Sequence, residues 1–306
     1  MSARLDELRP TRGDSSLMRT FIGSFLREIG GWVAVADLVN LFEGLGVSGA
    51  SVRTNLSRLK AKGLLVPQAR GATGYALADE AEVMLARGDR RIYGYHQMRV
   101  GDPWMVVVFS VPEAHRHLRH QLRTRLTWLG CGAMTPGAWI GPGHLIEETR
   151  EVLAEVDLLR YTTILCTQEP LVDGDLADAV ARWWDLPALG GRYDVFTSEF
   201  EPVAARWRVA GDEDRAAGRG QPAMADWQAA AGNEAVDGPA AFADYVRALD
   251  AWRSIPYLDP ALPPEYLPHD WPGQRGVALF AELHERLSGP SLSHVLAVTG
   301  RHAAAG

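Results

Sequence analysis

Cysteine is nearly absent from this sequence: Cys131 and Cys166 are the only two in 306 residues. Two thiols make neither a disulfide framework nor a four-ligand metal site, and they suit a reducing cytoplasm. Long apolar runs are missing as well. The longest, Trp104–Phe109 (WMVVVF), falls far short of the roughly 20 residues that a membrane span needs. The first residues, MSARLDELRPTRGDSS, lack the apolar core of a secretory signal. Nor does the chain contain G-x-S-x-G, H-E-x-x-H or a Walker A loop, which removes the nucleophile elbow, the zincin helix and the P-loop. Together these gaps predict a cytoplasmic protein off the membrane, with no cofactor, no bound metal and no catalytic residues.

What is present describes a folded chain. Ten Trp, eight Tyr and eight Phe are too many for a disordered coil, and the length suits two or three domains. The net charge of −7 is unevenly spread. Residues 1–75 carry ten Arg or Lys against six Asp or Glu, which leaves the remainder strongly acidic. Ser48–Arg70 holds five bases and no acid, and the chain's only two lysines, Lys60 and Lys62, fall within it. The asymmetry predicts a small anion-seeking module fused to a larger acidic body.

The basic module reads element by element. Ser15-Ser16 offers an N-cap to a helix whose apolar face is Leu17, Phe21, Ile22, Phe25, Leu26 and Ile29, and Gly30-Gly31 ends it. A short element at Trp32–Val35 leads to a helix over Asp37–Leu45. Ser48 or Ser51 then caps a third helix that runs to Lys62. There Val52, Leu56 and Leu59 face inward at i, i+4 and i+7, so Arg53, Thr54, Ser57 and Arg58 point away. Leu64–Val66 and Gly74–Leu77 form a hairpin around Gln68–Thr73. Three helices and a two-stranded ribbon make a winged helix-turn-helix, whose last helix would enter a major groove.

A helical link follows, and then a second module. Trp104–Val111 reads as a buried strand, and Pro112 opens a helix to about Leu129. Short strands at Cys131–Met134 and Ala138–Gly141, a helix over Leu145–Leu159 and a strand at Thr162–Thr167 complete βαββαβ, the ferredoxin-like order. Beyond Asp173 the pattern is helical, over Leu176–Trp184, Asp194–Val209, Ala240–Ile255 and Val277–Leu287. Ala210–Gly238 reads as a polar loop with fragmentary helix, and the tail RHAAAG as frayed. Pro256–Pro272 is too rich in proline for regular helix and reads as a rigid strap. The fold class is therefore α+β, divided into residues 1–88, 89–170 and 171–306.

Three separated stretches carry a family resemblance: GGWVAVADLVNLFEGLGVSGASVRTNLSRLKAKGLL, LTWLGCGAMTPGAWIGP and RSIPYLDPALPPEYLPHDWPG. In that order they resemble the PaaX family of bacterial repressors, over roughly Met18 to Val298. The sharpest matches are Val52-Arg53-Thr54-Asn55-Leu56-Ser57-Arg58-Leu59, Trp184-Asp185-Leu186 and the Asp259–Gly273 segment. The resemblance implies a homodimeric transcription regulator with a winged helix, a Cas2-like ferredoxin middle that joins the dimer, and a helical C-terminal domain. It further implies a repressor released from a pseudo-palindromic operator in double-stranded DNA by an aryl-acetyl-CoA such as phenylacetyl-CoA. A regulator without an effector is the alternative.

For the groove we expect Arg53, Thr54, Ser57 and Arg58, flanked by Ser51 and Asn55, with Lys60, Lys62 and the wing residue Arg70 on phosphates. Arg53 alternatively pairs with an acid such as Glu43. For an effector's phosphates the candidates are Arg116, Arg119, His120 and Arg123, against the alternative of a solvated helix face. His115, His117 and His120 lack neighbouring acids or thiols to complete a metal shell. Trp128, Trp139, Trp207, Trp252 and Trp271 are assigned to cores and interfaces rather than to an acyl clamp. A Cas2-like nuclease would need an acid at the end of the first strand of the middle module. That strand runs out in Phe109-Ser110-Val111-Pro112, and Asp102 precedes it.

Overall fold

The computed structural model describes residues 13–216 and 237–300. Most of the polar stretch 210–238 and all of the tail RHAAAG lie outside the described residues, apart from 210–216, which continue a helix. The chain forms two compact units that ignore chain order. A helical unit holds 13–89, 196–216, 237–252 and 275–300, and a sheet unit holds 90–195 and 253–274.

In the helical unit, α1 (Asp14–Ser24) starts from Gly13, whose φ of +109° suits glycine, and no side chain caps it. The expected caps lie inside the helix instead. Ser16 is buried, and its hydroxyl and that of Thr20 each donate to Asp250 Oδ1 at 2.7 Å. β1 (Trp32–Ala34), α2 (Val35–Glu43), α3 (Gly49–Ala61), β2 (Leu65–Ala69) and β3 (Thr73–Leu77) follow, and the strands pair antiparallel in the order β1-β3-β2. This is the winged helix. Pro67, which has no N–H to give to a ladder, sits on the edge strand opposite Tyr75. α4 (Asp79–Ile92) returns to the first helices, where Arg27 pairs with Asp89 at 2.7 Å.

The aromatic core of this unit extends into the C-terminal helices. Phe21 meets Phe42 at 5.7 Å, and Phe25 meets Phe242 and Tyr245 of α9 (Gly238–Trp252) at 5.6 and 6.1 Å. Trp252 stacks on Phe280 of α11 (Gly273–Val298) at 4.7 Å and touches Phe196 of α8 (Leu186–Ala216) at 5.3 Å. Outside the core, Arg208 binds Glu282 and Glu201, tying α8 to α11. Both long helices outrun their expected ends and carry an internal proline, Pro202 or Pro290. At the second, Ser291 Oγ donates to Leu287 O at 2.5 Å. That bond occupies a helical carbonyl beside the one Pro290 cannot serve.

The sheet unit has the expected βαββαβ order. It comprises β4 (Trp104–Phe109), α5 (His117–Trp128), β5 (Gly132–Thr135), β6 (Ala138–Pro142), α6 (Ile146–Ala154) and β7 (Thr162–Thr167). The strands run β5-β6-β4-β7, every pair antiparallel, as a ferredoxin-like sheet requires. The helix expected from Pro112 is broken: a 3₁₀ turn at Glu113–His115 precedes α5. Alternation along β4 sends Met105, Val107 and Phe109 to a core with Leu122, Leu126, Val152 and Leu153. The opposite face buries Trp104 and Ile140 beneath Val180 of α7 (Leu176–Trp183), Trp184 and Leu262. Leu262 belongs to the proline strap, which holds only one short helix, α10 (Ile255–Leu258), and a 3₁₀ turn at Pro264–Tyr266. The strap is pinned by buried Asp259, which accepts from Tyr193 Oη and, at 2.7 Å, from the Ala261 N–H.

Candidate nucleic-acid interface

Between α2 and α3 the chain turns through Gly44–Ser48, with Gly46 at φ +79°. The run Gly44-Leu45-Gly46-Val47-Ser48-Gly49 spells G-x-G-x-x-G, yet it joins helix to helix. A dinucleotide site needs a strand in front of it. Ser48 caps α3 by accepting from Ser51 N at 3.2 Å, and Val52, Leu56 and Leu59 are buried as the spacing requires. Helix α3 is thereby held as a rigid rod with one face outward.

That face carries Arg53, Thr54, Ser57, Arg58 and Lys60, all exposed, and Lys62 is exposed just past its end. Arg53, Arg58 and Lys60 make no ion pair among the described residues, so the alternative pairing of Arg53 with Glu43 does not form. Instead the Arg53 guanidinium lies close over Gly49, where an added Cβ would sit 3.0 Å from Nη1. With no acid on α3, the cations present an uncompensated positive face.

The flanking residues differ from expectation. Asn55 is buried, with Nδ2 3.5 Å from Ser51 Oγ, because its position falls on the inner side between Val52 and Leu56. It cannot reach a groove without unpacking the helix. Ser51 Oγ donates to Asp14 Oδ2 at 2.5 Å, and Thr54 Oγ1 donates back to Ala50 O at 3.0 Å, so both hydroxyls are engaged within the fold.

The wing is braced in a way the sequence reading missed. Arg70 is exposed, yet its Nε donates to Gln68 Oε1 at 2.9 Å and its guanidinium lies 5.8 Å from the Trp32 ring. Trp32 Nε1 in turn donates to Gln68 O at 2.8 Å. Gly74 makes this possible: a Cβ there would stand 2.5 Å from both Trp32 Cζ2 and Val33 O. The available signal was a glycine inside a strand pattern, which marks close approach.

The proposed effector stripe does not line a cavity described in the sheet unit. Arg116, His120 and Arg123 are exposed on the outer face of the 3₁₀ turn and α5. Arg119 pairs with Glu113 at 2.9 Å and donates to Val111 O, while Arg123 reaches Pro136 O at 3.3 Å. Two cavities lie elsewhere in this unit. One, of about 270 Å³, is bordered by Arg91, His96, His144, Glu148 and Asp259, and the other, of about 300 Å³, by Trp139, Trp183 and Trp184. Among the described residues no group of three or more His, Cys, Asp or Glu is placed to hold a metal ion. No described helix is long and apolar enough to cross a membrane.

Known proteins match the chain along most of its length. Family models for a PaaX-like protein, the PaaX central Cas2-like domain and a PaaX-like C-terminal domain match residues 14–81, 97–179 and 219–297. A curated relative, the transcriptional repressor PaaX of Escherichia coli (strain K12), is 24% identical over 284 residues, covering 92% of this chain and 82% of its own. The solved structure of an uncharacterised Mycobacterium tuberculosis protein superposes with a TM-score of 0.55 at 21% identity. It covers 92% of this chain and 98% of that one, a likeness of fold.

Proposed function

Because the chain belongs to the PaaX family, we propose that it is a transcriptional repressor that reads duplex DNA through α3 and the β2–β3 wing. The observation that carries this reading is the outward face of α3, on which Arg53, Arg58 and Lys60 stand exposed without ion pairs among the described residues. Arg58 and Ser57 address base edges, Lys60 and Lys62 take phosphates, and Arg70 contacts the neighbouring backbone from its brace on Trp32. Two copies joined through their Cas2-like modules hold two such heads against a pseudo-palindromic operator. An aryl-acetyl-CoA releases them by favouring a dimer whose heads are wrongly spaced, with a coupling of about 1–3 kcal/mol.

Footprinting on the DNA upstream of its own gene, with and without phenylacetyl-CoA, tests the reading. Protection of two half-sites on one face of the duplex, lost with the thioester, is expected. Arg58→Ala should weaken operator binding by about 1–3 kcal/mol while changing affinity for random DNA far less. Equal losses on both DNAs would make Arg58 a phosphate contact. An unchanged footprint after neutralising Arg58, Lys60 and Lys62 together would overturn the reading.

A further inference from the structure

The second cavity of the sheet unit is lined mainly by aromatic and apolar side chains. Its walls include Trp139, Trp183, Trp184, Cys131, Leu189 and Arg192, around about 300 Å³. Trp184 is fixed: its Nε1 donates to Gly130 O at 2.9 Å, and its ring lies so close over Gly132 that a Cβ there would fall 2.6 Å from Cδ2. The Trp183 ring stands 6.3 Å from it at 61°, half-buried, so the two indoles form a corner. Burial pushes the Cys131 thiol up to about 12, which leaves that wall uncharged. Asp185, also on the rim, is occupied in accepting from Ala188 N at 3.0 Å at the start of α8.

Two polar groups here have no partner among the described residues. Arg192 is exposed on the rim and makes no ion pair or hydrogen bond among the described residues. Trp139 is more than nine-tenths buried, yet its indole N–H has no acceptor among the described residues. Buried Trp N–H groups are ordinarily satisfied, so an unpartnered one beside a cavity calls for an explanation. The volume is at the lower end for ligand pockets, enough for one ring and a short arm.

We propose that this pocket is a binding site for a monocyclic aromatic acyl group, with the ring packed into the corner made by the indoles of Trp183 and Trp184 and the acyl oxygen toward Arg192. The shared chemistry is an aromatic ring joined by a short arm to a carbonyl oxygen, which a free aryl acid and an aryl thioester both possess. A thioester carrier extends onto α5. Thr127 lines the pocket, and Arg123 and His120 lie one and two turns back along the same helix, with Arg116 beyond them. At 1.5 Å per residue, Arg116 to Thr127 spans roughly 16 Å, within reach of a carrier's phosphates. The cationic stripe thus leads to the pocket without lining it. This inference rests on the effector part of the proposed function and assigns it a place.

Calorimetry on the full-length protein with phenylacetyl-CoA, phenylacetate, acetyl-CoA and CoA tests the site, with DNA binding measured on each variant as a separate readout. The aryl probes should bind and the two others should not. Arg192→Ala and Trp183→Ala should each weaken aryl binding at least tenfold while DNA affinity stays at the parental value. Arg192 is exposed, so its variant answers even if Trp183→Ala fails to fold. Phenylacetate binding as tightly as the thioester makes the free acid the ligand. A thioester preference abolished by Arg116→Ala with Arg123→Ala makes it the carrier-borne acyl group. Undiminished aryl binding by Arg192→Ala, or no aryl binding by a parent that still binds DNA, would overturn the pocket and leave the DNA reading intact. A parent that binds aryl probes at this site but no DNA would overturn the repressor reading alone.

Discussion

His284 shows how a buried imidazole makes the helical unit less stable in acid. Its ring lies against Phe280 at 6.1 Å and Tyr245 at 5.8 Å, and its Nδ1 shares a 2.7 Å hydrogen bond with Tyr245 Oη. Burial among these rings lowers its pKa below the usual imidazole value. His294, beside Phe242, is lowered for the same reason, although Asp237 works against the shift. The unfolded chain takes up these protons near pH 6.5, whereas the folded unit resists them until lower pH. Stability is therefore complete above about pH 6.5 and is lost as pH falls through the window below it. Asp259 in the sheet unit has the opposite sign. Burial raises its pKa despite the bonds from Tyr193 and Ala261, so ionising it costs stability as pH rises through the window above the ordinary carboxylate value. We expect His284→Gln, which can keep the bond to Tyr245 but does not titrate, to show a shallower fall in melting temperature than the parent between pH 7 and 5. Parallel falls in thermal melts across that range would remove His284 from the account.

At the scale of elements, α3 was legible because its inner face is spaced at i, i+4 and i+7 and Ser48 stands where a cap belongs. Asn55 escaped because a polar residue between Val52 and Leu56 looks like a groove contact until packing shows it buried. The start of α8 escaped for a related reason. The spacing predicts a helix only from Asp194, but in the structure Asp185 caps a helix that runs through Gly190 and Gly191, with the Trp271 ring 3.5 Å from where a Cβ on Gly190 would sit. The brace of the wing was invisible because it joins side chains from β1 and β2 across β3, and only Gly74 hinted at it. Gly74→Ala would press a methyl into Trp32 and the Val33 carbonyl. Overpacking of this kind costs about 1–3 kcal/mol and should release Arg70 from its position. We expect a lower melting temperature and weaker operator binding at low salt, with the apolar face of α3 unaffected. Full operator affinity in Gly74→Ala would show that the wing does not contribute.

At the scale of the whole molecule, amphipathic spacing tells which face of a helix is buried but not what covers it. Helical patterning groups residues 171–306 together, and by contacts the described ones among them fall in both compact units. The winged helix therefore does not own its core. Phe25 depends on Phe242 and Tyr245, and the hydroxyls of Ser16 and Thr20 both depend on Asp250. Arg247 adds a bond to Leu45 O at 3.3 Å, behind the turn that leads into α3. A fragment of residues 1–88 would expose these rings to water and leave two inward-facing hydroxyls without their carboxylate. Water then serves those hydroxyls, so what is lost is the net worth of each bond to a charged acceptor, about 1.5–3 kcal/mol, added to the lost burial of the rings and set against the 5–15 kcal/mol that holds an ordinary domain together. The fragment should therefore show no cooperative thermal transition and little dispersion of its amide resonances, while the full chain melts sharply. Adding residues 237–300 as a second polypeptide should restore both, since it returns α9 and α11. A fragment 1–88 that melts cooperatively and binds the operator alone would show instead that the C-terminal helices merely rest on a domain already complete.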